Sequence, residues 1–357
     1  METGHVDSDV IVIGGGPAGS AAAITAASMG LRVRLLESRA VLGDHPGETL
    51  HPGVGSVLQQ LGVSGRLASV TGARHAGIRI EWAGRSRFEP YGSDENGPWL
   101  GYQVSRARFD TMLSDRAREL GVECIFSCTA HSLLREHGKT VGVRTSLGDM
   151  TASQIIDASG RTPFSAPEPG RVRTVHSPLL IARYGYGRGS LPELDEAPVM
   201  RGDASGWQWT AMVRPGFYHW TYVSLDGTKL PRDWRPLEFQ GLTPVGSPRG
   251  ADVTWRLSGN LAAPGWFQVG DAAAVLDPTS ANGILRGLLS GIIAAKLSYS
   301  VVSGSSSAAE AAAHYAAWFN GWFYESARNL SRFYSELGVH GFADETQPDH
   351  VRGASRP

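Results

Sequence analysis

The order of apolar and polar positions divides the chain into stretches of different period. Residues 10–13 are four consecutive apolar, mostly β-branched side chains, Val10, Ile11, Val12 and Ile13, as in a strand buried on both faces. A glycine-rich turn follows. A run of small residues over 20–29 then suits a helix packed tightly on that strand, and a second apolar strand over 31–36 ends in Glu37. After a loop at 45–53 stiffened by prolines and glycines, residues 54–61 have the spacing of a short amphipathic helix. Alternation at 77–82 and 85–91 predicts a hairpin, 99–104 another strand, and 108–120 a helix stopped by Gly121. Strands are expected at 122–126, 130–134, 141–145 and 152–156. From 172 to 255 helical periodicity vanishes, and short aromatic-rich alternating segments at 179–184, 207–213 and 217–224 predict an inserted antiparallel sheet. The strand-and-turn pattern returns at 265–274 and opens a helix over 284–301. An aromatic-rich helix over 308–337 is expected to pack from outside, and the polar tail beyond 342 to be disordered. The fold class is α/β: a three-layer, mostly parallel sheet, an inserted antiparallel sheet and C-terminal helices.

The turn between the first strand and helix reads Gly14-Gly15-Gly16-Pro17-Ala18-Gly19. In this G-x-G-x-x-G, Gly14 permits the tight turn, Gly16 leaves room for a pyrophosphate, and Gly19 lets helix and strand approach. The helix start offers unpaired N–H groups to the phosphate, and Glu37 offers a carboxylate to ribose hydroxyls. A glycine-rich turn without a ligand is the alternative. Asp157-Ala158-Ser159-Gly160 ends a strand where backbone comes close to the same nucleotide. The helix opened by 275–283 presents a positive dipole end. Trp207 and Trp209 share one face of their strand, as do Trp220 and Tyr222 of theirs; these are core or pocket-lining aromatics.

Composition narrows the function classes. A net charge of −1 gives no pull toward nucleic acid or anionic membrane. The two cysteines, Cys124 and Cys128, lie too far apart along one strand to bridge, so buried thiols in a reducing cytoplasmic setting are expected, and no metal site is. The N-terminus lacks a basic region and is not a signal peptide, and the apolar stretch 283–302, interrupted by Arg286 and Lys296, is a buried helix rather than a membrane span.

Three motifs in order, the glycine turn with Glu37, Asp157 to Gly160, and Gly270-Asp271-Ala272-Ala273 with Asp277-Pro278, resemble one superfamily over nearly the whole chain. It is the FAD-dependent oxidoreductases of para-hydroxybenzoate hydroxylase architecture, glutathione-reductase type. The resemblance implies FAD in a Rossmann-like FAD-binding domain built from 1–75, 100–170 and 260–305. It also implies a substrate-binding sheet from 76–99 and 171–259, a C-terminal helix at 306–342 and a flexible tail at 343–357. Beside Gly14, Gly16, Gly19 and Glu37, it implies FAD contacts from Pro17, Ala18, Ser38, Arg39, Glu48, Thr49, Arg106, Ala130, Ser159, Gly160, Gly270 and Asp271. Pro278, Asn282, Gly283 and Ile284 complete that set, the last three bordering the isoalloxazine ring. Gly47-Glu48-Thr49-Leu50 and Trp207-Gln208-Trp209 look like segments of flavin-dependent tryptophan halogenases. Those enzymes carry the halogen on a lysine, whereas residues 71–84 contain none, so halogenation is the less favoured outcome. The loop 46–53 looks closest to a halogenase-like subgroup that includes flavoprotein monooxygenases of tryptophylquinone cofactor maturation.

The leading expectation is therefore a flavin monooxygenase. It would hydroxylate an aromatic ring, such as an indole or tryptophan-derived one, free or carried on a peptide or protein, through a C4a-hydroperoxyflavin. O2 and an external reductant are needed; with no second dinucleotide motif, NAD(P)H docks transiently or a flavin reductase delivers the electrons. His51, His75 and His219 are the acid–base candidates, with Glu48 beside the flavin, and Trp207, Trp209, Trp220 and Tyr222 as substrate wall. An oxidase or dehydrogenase is the alternative, and a flavin-binding protein without catalysis the third. The chain is expected to act as a monomer or homodimer.

Overall fold

The computed structural model describes residues 7–161, 164, 173–280 and 282–342. Its first sheet is built outward from Ser8–Ile13, which pairs in parallel with Val33–Leu36 on one side and Gly148–Asp157 on the other. Glu123–Ile125 extends it beyond Val33–Leu36, and Trp266–Gln268 lies beside the end of Gly148–Asp157, both in parallel register. Gly148–Asp157 does two jobs. Its first half pairs antiparallel with Lys139–Thr145, and its second half lies in the parallel sheet. Central strands of β-branched residues buried on both faces are what such a sheet requires.

One face carries Val10, Val12 and Ile156 and is covered by Pro17–Ser28, Arg106–Glu119 and Gly283–Val302. The other carries Ile11, Ile13 and Ile155 and is covered by the hairpin of Ala130–Glu136 and Lys139–Thr145. These are the three layers. Gly283–Val302 is long and apolar enough to cross a membrane, but it packs against Pro17–Ser28 so closely that a Cβ on Gly291 would lie 2.2 Å from the Ala18 carbonyl oxygen. Cys124 is half-buried, Cys128 is buried, and both are free thiols.

The second sheet has seven strands in the order Thr243–Asp252, Ile181–Arg188, Phe217–Ser224, Gly206–Arg214, Val199–Asp203, Gly77–Trp82, Arg85–Pro90. All neighbours are antiparallel except Val199–Asp203 with Gly77–Trp82, whose parallel pairing joins the early hairpin to the later strands. Thr243–Asp252 has no apolar alternation and contains Pro244 and Pro248, which an edge strand tolerates. A small sheet in the order Thr49–Leu50, Gly101–Val104, Thr71–His75 pairs the segment at 45–53 with the strands on either side of the hairpin.

The last helix, Ala308–Glu336, begins in a capping box between Ser307 and Glu310. It is not an outer layer, as the sequence suggests. Tyr315, Phe319 and Phe323 enter the core of the first sheet and Tyr334 that of the second, so the helix bridges both. The expected tail disorder beyond 342 concerns residues outside those described.

Candidate active site

The cradle at the first turn is made of backbone. Gly14 has φ +106°, and a Cβ there would lie 2.3 Å from the Ala158 carbonyl oxygen. A Cβ on Gly19 would lie 1.9 Å from the Gly14 carbonyl oxygen, whereas one on Gly16 would meet nothing within 4 Å. That open space stands at the start of Pro17–Ser28, whose N-terminus has no side-chain cap. Its first N–H groups are thus available to an anion. The Glu37 carboxylate is fixed by the Gly15 N–H at 2.8 Å and the Arg39 N–H at 2.9 Å, with Ser38 Oγ at 3.3 Å. Each oxygen keeps a lone pair for a ribose hydroxyl. Cys128 N–H donates to the Glu37 carbonyl, drawing the segment before Ala130 alongside.

Asp157, fully buried, accepts from the Ser159 N–H at 3.1 Å and from the Ser159 hydroxyl, which shapes the turn into Gly160. Gly270 donates its N–H to Ser290 Oγ at 2.9 Å, and a Cβ there would lie 2.9 Å from the Ala18 Cβ. The second glycine turn therefore touches the first helix, with Asp271 held by Arg161 at 3.2 Å. An uncapped helix start, a fixed carboxylate and a second turn in contact with the first fit a dinucleotide such as FAD.

The loop at 45–53 packs against Arg106 and the start of Gly283–Val302. Gly47 has φ +112°, and a Cβ there would lie 2.7 Å from an Arg106 guanidinium nitrogen and 3.6 Å from Ile284 Cδ1. Only glycine fits between them. Arg106 forms a fork with Asp110 at 3.0 and 3.1 Å, donates to the Pro46 carbonyl at 2.9 Å, and has His45 beside it at 3.4 Å. Burial alone would raise the Asp110 carboxyl, but the Arg106 charge holds it below the usual range. Thr49 Oγ1 bonds the Gln103 amide at 3.0 Å.

Glu48 is the point where loop and large sheet meet. One carboxylate oxygen accepts the Tyr186 hydroxyl at 2.5 Å; the other accepts the Gly47 N–H at 2.9 Å and lies 3.9 Å from His219 Nδ1. His219 Nε2 faces Thr221 Oγ1 at 3.2 Å. Burial lowers the His219 pKa, opposed by the Glu48 charge, while burial and Glu48 push the Tyr186 hydroxyl well above its usual value. Glu48 and Tyr186 line a cavity of about 270 Å³ walled also by Tyr184, Val213 and Phe217, with the exposed Arg214 and Arg249 at its rim; His219 lies behind Glu48, outside the lining.

The other expected residues lie elsewhere. His75 Nδ1 faces the Gly77 carbonyl at 3.1 Å and its Nε2 faces the Gln103 amide at 3.1 Å; burial lowers its pKa to about 4. It is a neutral structural histidine, away from the cavity. His51 accepts the Gly53 N–H at 3.1 Å and sits edge-on to Tyr91, also outside the cavity wall. Trp220 and Tyr222 both pack on Trp234, on the sheet face opposite Glu48. Trp207 shares the Glu48 face but is buried in the core, its Nε1 donating to Tyr334 at 3.0 Å, and Trp209 packs beside it. None of the four lines the cavity. The wall comes instead from Tyr184 and Tyr186, whose i, i+2 spacing the sequence does show, and from Phe217 of the neighbouring strand, brought beside them only by cross-strand register.

A second buried network holds the turn before Asn282. Asp277, fully buried and raised in pKa by burial, accepts from Trp255 Nε1 at 2.7 Å and Thr279 N–H at 2.9 Å, and bonds the Thr279 hydroxyl. That hydroxyl lies 2.8 Å from the Tyr334 hydroxyl. Pro278 opens the turn, and Gly283 starts the helix that follows with no side-chain cap. No cluster of metal-ligating side chains is present among the described residues.

A family of FAD-dependent oxidoreductases matches residues 9–166. A menaquinone reductase of Mycolicibacterium smegmatis is 30% identical over 318 residues, 78% of this chain and 73% of the relative. A tryptophan 2-halogenase of Chondromyces crocatus is 26% identical over 309 residues, 77% of this chain, which spans 58% of the relative's length. Among solved structures, a flavin-dependent brominase superposes with TM-score 0.82 at 23% identity, covering 93% of this chain and 88% of that one. A peptidyl tryptophan dihydroxylase essential for tryptophylquinone cofactor biogenesis gives TM-score 0.71 at 22% identity, covering 93% and 76%. At these identities the two structures share the fold.

Proposed function

Because this chain belongs to the FAD-dependent oxidoreductases, we propose that it is an FAD-dependent monooxygenase hydroxylating an aromatic substrate in the cavity above Glu48. The observation that carries this is the Glu48 carboxylate, bonded to Tyr186 and faced by His219, at the buried end of an aromatic-walled cavity beside the loop that touches Ile284. Gly14, Gly16, Gly19, Glu37 and Ser159 would hold the adenosine and pyrophosphate end, and Asp271, Gly283 and Ile284 the flavin end. Bound and reduced by NAD(P)H or a flavin reductase, the flavin supplies the electrons that activate O2.

The chain's own residues supply the rest. Tyr184, Tyr186 and Phe217 orient a planar ring and keep water from the reacting centre. Glu48 accepts the proton that the ring loses on regaining aromaticity, and Tyr186 holds the carboxylate in place. His219, kept neutral by burial, leaves the negative charge of Glu48 available. The substrate is a small aromatic molecule or a tryptophan-bearing peptide or protein, and no nucleic acid takes part. The names of the halogenase relatives favour a second reading, halogenation of the same ring. Against it, no lysine among the described residues lines the cavity.

The test loads the protein with FAD, reduces it without oxygen, and then adds O2 and an indole substrate with and without bromide. A transient flavin–oxygen spectrum and a product heavier by one oxygen support monooxygenation. A brominated product establishes the second reading, loss of two hydrogens an oxidase or dehydrogenase, and absence of both spectrum and product overturns the proposal.

A further inference from the structure

Polar groups around the cavity are unequally satisfied. Its carboxylates are committed: Asp44 accepts from Ser105 Oγ at 3.1 Å and the Ala107 N–H at 3.0 Å, and Glu48 from Tyr186 and Gly47. The guanidiniums of Arg214 and Arg249 are exposed at the mouth and have no hydrogen bond or ion pair with another described residue. Each guanidinium carries five N–H donors and no acceptor. What the cavity leaves unmatched is cationic and donating.

These arginines are also placed with respect to the aromatic wall. Arg214 lies over the Phe217 ring at 4.2 Å, and Phe217 stacks on Tyr186 with centroids 5.5 Å apart and planes 12° from parallel. Tyr186 in turn reaches Glu48, so one wall runs from a cation at the mouth, across two rings, to a carboxylate at the buried end. Arg249 stands directly opposite Tyr184 on the neighbouring strand. A volume of about 270 Å³ is at the small end for ligand pockets and suits one or two rings.

Resting on the placement of the reaction in this cavity, we infer that the substrate is a small free aromatic acid, its ring against Tyr186 and Phe217 and its carboxylate on Arg214 and Arg249. A guanidinium fork matches a carboxylate in shape and charge. A tryptophan inside a peptide has amides where the free acid has its carboxylate, so the same arrangement selects against a peptide-borne ring.

Matched probes test this on the FAD-loaded full chain by calorimetry, without turnover: N-acetyltryptophan against N-acetyltryptophanamide, and 4-hydroxyphenylpropionate against its amide. Within a pair only the carboxylate changes. The acid of at least one pair should bind about tenfold more tightly than its amide, a preference that shrinks at high salt. In Arg214→Gln/Arg249→Gln the acid should fall to the affinity of the amide, with amide binding unchanged and Arg249→Lys keeping part of the preference. Equal affinities within both pairs, tighter binding of the amides, no saturable binding by either acid, or a preference that survives the double substitution would each overturn the inference. An oxygenated product formed equally from acid and amide would sink it alone; a preserved acid preference with no oxygenated product would sink the monooxygenase proposal alone.

Discussion

The glycine cradle and the cavity wall are built by opposite means. In the cradle, the proposed function depends on side chains that are missing: Gly14, Gly16 and Gly19 bring backbone close or leave space, and one carboxylate, Glu37, is added. In the wall, the proposed function depends on side chains brought together from distant strands, Glu48 from a loop, Tyr186 and His219 from two neighbouring strands, and Arg249 from an edge. A motif contiguous in sequence can make the first. The second exists only once register is set.

Breaking each region should therefore give different failures. Gly14→Val faces both a positive φ and a backbone oxygen 2.3 Å from its Cβ. It should cost on the order of 4 kcal/mol or more and abolish flavin retention, read as melting temperature and flavin-to-protein ratio. Flavin kept at full occupancy would show that the first turn is not the cradle. Glu48→Gln should do the reverse, keeping FAD while turnover drops by roughly 10²–10⁴-fold. Turnover near wild type would remove Glu48 from the chemistry.

His75 sharpens the boundary between site and scaffold. Its folded pKa, about 4, is below the ordinary 6.5, so the neutral form is favoured by folding. The associated stability is full above pH 6.5 and is lost as pH falls toward 4, up to about 3 kcal/mol by linkage. Denaturant titrations over that range should show a shallower acid slope in His75→Gln, with turnover at neutral pH retained. Tyr334→Phe removes the acceptor of the Trp207 N–H and the neighbour of Thr279, and should cost about 1–3 kcal/mol. It should also weaken FAD retention if the turn at Pro278 holds the flavin end, as equilibrium dialysis would measure. Tyr222→Phe, on the face away from Glu48, should stay within about 0.5 kcal/mol of wild type with unchanged turnover. A large loss of turnover would return Tyr222 to the substrate wall.

The same contrast explains what was legible in the chain. Val10 to Glu37 could be read whole because strand, turn, helix and acid are adjacent and each residue type has one physical use there. The hairpin at 77–90 and the strand Phe217–Ser224 were visible from alternation alone. Thr243–Asp252 was not, since prolines and glycines hide an edge strand. The strand tryptophans suggest a substrate wall, yet Trp207 and Trp220 lie in the core on opposite faces, because the largest apolar rings gain most from full burial. His45, three residues before Glu48 and against Asp110, lines the cavity without any signal in the local sequence, whereas of the expected His51, His75 and His219 only His219 stands near Glu48.

The contact of Tyr334 with Thr279 and Trp207 also bears on how the protein is made. The turn ahead of Gly283 and the strand Gly206–Arg214 are synthesised well before Ala308–Glu336, yet their shared hydrogen bonds need its last turn. On a ribosome this junction waits, after the turn has been made, for more than fifty further residues to emerge. Closure of that turn is thus coupled to synthesis of the last turn of Ala308–Glu336, and a nascent protein interrupted before Tyr334 would lack the bonds that join the turn to the second sheet.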